Sequence, residues 1–241
     1  MPTQFVTAWM AVMWLAWATL LFGGLAFRRR RPGQPGRMRR WTRLGSSLAL
    51  ALASWGWLLS GGGREGSQVA MLAIGISLGL LGDLFMASLL PVVQPALAGM
   101  AAFALGHIAY CSAFLALAGR ADVRPSAKAL ALAAWLTLGA IGWYLVIYRS
   151  GSPGLLHWAA LPYSLLLAGT AGLSLGLATG RTVFAATALG GALFFLSDLL
   201  IAAGLFRNLR RPYLDDLVWL TYGPAQMLIV YSLWAAQGVQ A

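Results

Sequence analysis

The chain is short of charge, and shortest of acid. Its 241 residues include six Asp and Glu, 17 Lys and Arg, two His and a single cysteine, and 60% of them are hydrophobic. Soluble domains carry about 25% charged residues; here the share is 10%, with a mean hydropathy of +0.75. No polar stretch is long enough to make a soluble domain, so residues 1–241 read as a single polytopic membrane domain. Cys111, standing alone, excludes an intrachain disulfide and a cysteine-based zinc site. His107 and His157 make a poor metal set, though a His with two aspartates is an imaginable one. GxSxG, HExxH, Walker and CxxC motifs are all missing. Their absence removes nucleophile-elbow hydrolases, zincins, P-loop enzymes and dithiol oxidoreductases. No cofactor and no metal is expected. The N-terminal stretch has no basic residue before Arg28, and its apolar run is too long for a cleaved signal peptide, so it reads as a first span.

What the chain has in plenty is apolar runs of bilayer length. A transmembrane helix needs about 20 mostly apolar residues. Eight segments qualify: 4–27, 44–60, 68–90, 94–118, 127–148, 155–178, 182–206 and 214–236. Between them lie breaks such as SGGGREGS, PVVQP, GRADVRPS, RSGSPG and RNLRRP. The expected fold is an all-α integral membrane protein of eight transmembrane helices. Glycines four apart in GISLG (Gly75, Gly79) and GLSLG (Gly172, Gly176) mark helix faces that allow close approach.

The formal net charge is +11, which in a soluble protein would suggest nucleic acid. Here eight of the 17 basic residues are the arginines of RRRRPGQPGRMRRWTR, between Arg28 and Arg43. A basic loop between spans is a cytoplasmic loop attracted to anionic lipid, so the expected partner is the bilayer and not nucleic acid. The loops on that side hold 12 basic residues and those on the other side five, which places both termini outside the cytoplasm. Trp41, Trp57, Trp143, Trp158, Trp219 and Trp234 fall near the span ends and read as interfacial anchors. The length and short loops suit a bacterial inner membrane.

Four of the six acids are unremarkable in position. Glu65 and Asp122 lie in loops, and Asp215 and Asp216 begin span eight, where carboxylates favour a helix N-terminus. Asp83, in GLLGDLFMA, and Asp198, in FFLSDLLIA, stand deep in apolar runs. Each follows a small residue, Gly82 or Ser197, and counting back from the span ends puts both about 10–12 Å below the cytoplasmic face. Intramembrane carboxyls face the bundle interior or a wet cavity and are functional by default; the bland alternative is a packing hydrogen bond. Other polar groups line up nearby. They are His107, near mid-membrane, and Tyr110 one turn on in span four; Tyr163 in span six, which also reads as an interface anchor; and Tyr222 and Gln226 one turn apart in span eight with Pro224 between them. The two Asp motifs occupy the third span of each four-span half, an echo that suggests a parallel 4 + 4 repeat.

GLLGDLFM, FALGHIAY, GGALFFLSDLL and YGPAQMLIVYSL, in this order and spacing, resemble the YhhN family of lysoplasmalogenases over roughly residues 75–235. Where that family shows a Lys-Pro pair at its second span, this chain reads RRWTRLG, leaving Arg40 or Arg43 as stand-ins. The resemblance implies an eight-helix fold and hydrolysis of the vinyl-ether bond of a lysophospholipid, giving a fatty aldehyde and a glycerophospho-ethanolamine or -choline. It makes Asp83 and Asp198 the catalytic pair. A vinyl ether is acid-labile: protonation of its β-carbon gives an oxocarbenium ion, to which water adds. Such chemistry needs one protonated carboxyl and gains from a second, ionised one, the logic of the glycosidase pair. On this reading His107, Tyr110, Tyr163, Ser197, Tyr222 and Gln226 orient water or substrate, and Arg40, Arg43, Arg207, Arg210 and Arg211 meet the phosphate. The rivals are a proton-coupled transporter or channel using the same carboxyls, and a scaffold that uses them as packing contacts.

Overall fold

The computed structural model describes residues 3–31, 34–61, 66–119, 123–209, 211 and 213–238. Arg64, Glu65, Arg120, Asp122 and Arg210 lie outside the described residues. Eight α-helices run through them: α1 Thr3–Ala26, α2 Arg40–Leu59, α3 Gly66–Met86, α4 Pro95–Ala118, α5 Pro125–Gly142, α6 Leu155–Gly180, α7 Ala185–Phe206 and α8 Leu214–Gly238. Past Gly142, α5 continues as a π turn over Trp143–Ile147 and a short 3-10 turn to Ser150.

Among the described residues, six helices are long and apolar enough to cross a membrane: α1, α3, α4, α5 with its extension, α6, and α7 with the 3-10 turn before it. The protein is therefore a multi-pass membrane protein. By that measure α2 and α8 fall short of the eight spans expected. The reason lies in what they bury: Ser46, Ser47 and Ser54 on α2, and Asp216, Tyr222 and Gln226 on α8.

The helices close into a ring. α2 packs on α3, α3 on α4, α4 on α6, α6 on α7, α7 on α8, and α8 returns to α2. α1 lies outside this ring against α2 and α8, and α5 lies outside it against α6, touching α7 through its π turn. Close packing depends on the expected glycine faces. A Cβ on Gly172 would stand 2.8 Å from Leu132 Cα, and one on Gly75 would enter the Tyr110 ring.

Two boundaries depart from expectation. Span three stops at Met86 and not at 90. Ser88 adopts φ 53°, while its N–H donates to Phe85 O (2.9 Å) and that of Leu89 to Leu84 O (3.1 Å). These are the two bonds of a Schellman cap, which ends the helix. Within the basic loop, Arg29–Arg31 (β1) and Gln34–Arg37 (β2) pair as an antiparallel ribbon, with Arg29 opposite Arg37 and Arg31 opposite Gln34. The all-helical expectation therefore needs this one addition.

The ribbon is clasped to the start of α8. Asp216 is buried and accepts from Arg28 Nη1 and from the Met38 backbone N–H, both at 3.2 Å. Its neighbour Asp215 pairs with Arg37 Nη1 at 3.2 Å. The two carboxylates sit in the first turn of α8, as expected, and also hold the loop between α1 and α2 over one end of the ring.

Candidate active site

Asp83 is buried one turn before the end of α3. Its Oδ2 accepts from Ser47 Oγ of α2 (2.7 Å) and from the Tyr222 hydroxyl of α8 (3.1 Å). Gln226 Nε2 in turn donates to the Tyr222 oxygen at 2.7 Å. Gly79, one turn back on α3, makes room: a Cβ there would lie 2.8 Å from Gln226 Nε2. Tyr222 and Gln226 thus share one face of α8 as their spacing implied, and Pro224 sits inside a helix that continues past it. Among the described residues, Oδ1 of Asp83 receives no hydrogen bond.

Asp198 has a different pattern, with a hydroxyl near each oxygen. The Tyr163 hydroxyl of α6 donates to Oδ2, and Ser197 Oγ lies 3.1 Å from Oδ1. The one proton of Ser197 is shared between Oδ1 and Phe194 O, the latter at 2.8 Å. In both cases the helix before the aspartate supplies a hydroxyl, α2 for Asp83 and α6 for Asp198. Asp83 lies three residues from the end of its helix and Asp198 eight from the end of its own, so equal depth does not follow from helix ends. What unites them is a shared cavity.

That cavity has a volume of about 830 Å³ and is bordered by both Asp83 and Asp198. Its outer wall is basic: Arg37, Arg40, Arg43 and Arg211 all line it, with Asp215 as the acid beside them. Arg43 lies over the Trp219 ring, 5.6 Å from its centroid, and its Nε is buried without a partner. A second, smaller cavity of about 80 Å³ lies beside the first, and Asp198 is the one ionisable residue among the five that line both, the others being Met86, Phe103, Ile201 and Leu205. It runs between α4, α5, α6 and α7, and apart from Asp198, Tyr163 and Ser164 its lining side chains are apolar. Both open at the end of the bundle that carries the ribbon. Among the described residues no three His, Cys, Asp or Glu come together as a metal site.

The structure separates the remaining expected residues. His107 is buried, with Nδ1 3.0 Å from Thr170 Oγ1 and its ring against Phe194, Tyr163 and Tyr110. Tyr110 is buried beside it, stacked on Phe114. Neither borders either of these two cavities, and among the described residues neither bonds an aspartate. Arg207 also lies elsewhere: its guanidinium donates to the carbonyls of Leu145 and Val146 at the end of α5. Helix C-termini leave such carbonyls unpaired, so this arginine serves the fold and not the large cavity. Arg210 falls outside the described residues. Two of the tryptophans expected at the interface, Trp219 and Trp143, line the cavities instead, and Trp57 is buried against Gln237.

Sequence reasoning missed Ser47, Arg37, Trp219 and Thr170 as partners. The readable signal for Ser47 was the pair Ser46–Ser47 in an otherwise apolar turn. Nothing local distinguishes Thr170, whose role depends on α6 meeting α4.

Comparison with curated proteins and with solved structures returns no match. The model of the YhhN family matches residues 38–233, a stretch that begins after the ribbon and includes both aspartates, Tyr163 and Tyr222. The chain belongs to the YhhN family.

Proposed function

We propose that this protein is a lysoplasmalogenase, hydrolysing the vinyl-ether bond of a lysophospholipid with Asp83 and Asp198. The reading rests above all on Asp198, which stands where a basic polar cavity meets an apolar slot. A vinyl-ether lysolipid has its scissile bond at the same kind of boundary, between a charged headgroup and a hydrocarbon chain. Arg40, Arg43 and Arg211, with Arg37, offer guanidinium donors to the phosphate.

The hydrogen-bond patterns divide the roles. Asp83 keeps Oδ1 free of donors and so has an oxygen on which to carry a proton. Asp198 accepts from the Tyr163 hydroxyl on Oδ2 and has the Ser197 hydroxyl within reach of Oδ1, a setting that suits the carboxylate. Asp83 protonates the β-carbon, the alkene π pair forming the new C–H bond while the ether oxygen stabilises the α-cation. Asp198 faces the oxocarbenium ion electrostatically. Water bonds to the α-carbon and gives a proton to Asp198, leaving a hemiacetal. The C–O bond to glycerol then breaks as the glycerol oxygen takes the proton from Asp198, and the hemiacetal hydroxyl gives its own to Asp83 to become the aldehyde carbonyl. The carboxyls end as they began.

All eight helices cross the bilayer in this proposal, with α2 and α8 adjacent in the ring and α1 packed on their outer side. The matching order α1-α2-α3-α4 and α5-α6-α7-α8, with α1 and α5 both outside, supports a parallel 4 + 4 repeat. The cavities open toward the basic, cytoplasmic side.

The test uses purified protein in nanodiscs with 1-alkenyl, 1-alkyl and 1-acyl lysophospholipids. Fatty aldehyde appears from the alkenyl substrate alone and is lost in Asp83→Asn and, separately, in Asp198→Asn. Full activity in either variant removes that residue from the mechanism.

A further inference from the structure

We infer that the slot between α4, α5, α6 and α7 binds the ether-proximal few carbons of one unbranched hydrocarbon chain, and that Gly142 sets its width. The inference rests on the lysolipid reading above and adds where the chain goes and how much of it is held.

The slot starts at Asp198 and is walled by Met100 and Phe103 of α4, Leu199 and Ala202 of α7, and Trp143 of α5. Of its polar side chains, the Tyr163 hydroxyl is turned to Asp198 and Ser164 Oγ donates back to Leu161 O at 2.9 Å. A ligand portion in this space therefore meets apolar surface everywhere but at its inner end. One carboxylate at the end of an apolar slot fits a chain whose reactive carbon is terminal to it.

Two glycines of α5 line the slot, and they do different work. A Cβ on Gly139 would stand 2.8 Å from Ala168 Cβ and 3.1 Å from Ser164 O, so that glycine lets α5 lie on α6. A Cβ on Gly142 would find Leu199 Cδ1 at 3.8 Å and Phe195 Cζ at 3.9 Å, ordinary contact distances. Packing does not require glycine at 142; the missing side chain leaves open slot. The helix widens into its π turn at the next residue, Trp143, and π turns are frequent at functional sites.

Size limits the occupant. A methylene takes up about as much room as a water molecule, which needs about 10–15 Å³ of cavity space measured this way. The slot, at about 80 Å³, therefore takes about half a dozen methylenes, too little for a second chain or a fused ring. The rest of a long chain stays in the bilayer. α4 and α5 are not among the closely packed helix pairs, and their seam is the side door. Chain length beyond the first few carbons should then matter little, while branching near the ether should block binding.

The probes are saturated 1-O-alkyl lysophospholipids, which carry no vinyl ether to hydrolyse, with a diazirine on the third or on the fourteenth chain carbon. After photolysis, labelled peptides are mapped by mass spectrometry. The third-carbon probe should label peptides spanning 139–147 and 199–206, and the fourteenth-carbon probe should not. Gly142→Leu should lower that labelling at least tenfold, and so should Met100→Trp, which fills the slot from the opposite wall. Gly23→Leu, on α1 with open space around it, should not. Labelling elsewhere, or labelling unmoved by both filling variants, overturns the slot. Slot labelling in a protein that releases no aldehyde from alkenyl substrate overturns the hydrolase reading and leaves the slot standing. Aldehyde release with labelling outside the slot does the reverse.

Discussion

Two hydroxyls, from Ser47 and Tyr222, converge on a single oxygen of Asp83. If their work is to hold the carboxyl so that Oδ1 faces the substrate, they should back each other up. A net hydrogen bond of this kind is worth about 0.5–1.5 kcal/mol, and each 1.36 kcal/mol is tenfold in rate. Ser47→Ala and Tyr222→Phe should therefore each lower kcat by about two- to tenfold, since one donor remains in either case. The double variant frees the carboxyl to rotate. Groups in one network couple by about 0.5–3 kcal/mol, so kcat in the double should fall at least a further twofold below the product of the singles.

Stability separates this from simple damage. Tyr222→Phe also strips Gln226 Nε2 of its acceptor. A buried amide left unpaired costs about 1–3 kcal/mol, or about 2–12 °C in Tm at this chain length. Adding Gln226→Leu should recover Tm and leave kcat low. Aldehyde release and thermal melting are measured on all five proteins. A double variant equal to the product of the singles, or one with wild-type kcat, refutes the argument that these donors aim the acid.

Other outcomes follow from the same geometry. Arg43→Met should raise KM for a lysophospholipid about tenfold with little change in kcat, as loss of uniform binding does, and should not affect a headgroup-free alkenyl glycerol; equal effects on both would remove Arg43 from phosphate binding. Asp216→Ala removes a buried acceptor from Met38 N and Arg28, at a cost of about 1–3 kcal/mol, so trypsin should cut at the ribbon arginines several-fold faster; an unchanged digest means the clasp does not hold the ribbon. Gly172→Ala pushes a methyl against Leu132 Cα and should cost about 1–3 kcal/mol, whereas Gly23→Ala, with nothing within 4 Å, should leave Tm unchanged.

Helix number and approximate bounds were legible because bilayer length dominates the sequence pattern. The end of α3 was not, because Ser88 takes an αL cap usually given to glycine. The aspartates stood out by cost alone: a carboxyl in an apolar run is expensive and so conspicuous. Their partners were harder. Tyr163, Tyr222 and Gln226 were visible as polar groups at depth, but which of them touch an aspartate depends on how helices rotate about their axes, which apolar composition on all sides leaves unspecified. His107 looked equally promising and turned out to face Thr170 and a set of aromatic rings. The arginines show the same limit. The candidate phosphate ligands all fall in the loops to which the charge bias assigns one side, and only the fold sends Arg43 into the cavity and Arg207 to the end of α5.

The polarity around Asp198 bears on the choice between hydrolysis and ion transport. A proton relay needs a polar neighbour on each side of every relay carboxyl. Asp198 has the basic cavity on one side, and on the other an apolar slot whose only free-standing hydroxyl, on Tyr163, is already bonded to it. A proton reaching Asp198 by that route has nowhere further to go, whereas a hydrocarbon chain has somewhere to lie. Asp83 does have a ladder beyond it, through Tyr222 to Gln226, but that ladder ends at Gln226 Oε1, which is buried without a partner. Liposomes carrying the wild-type protein should accordingly hold an imposed pH gradient as long as protein-free vesicles do. Gradient collapse that is lost in Asp83→Asn, with no aldehyde formed from any alkenyl lipid, would reverse the assignment and make the two carboxyls a proton path.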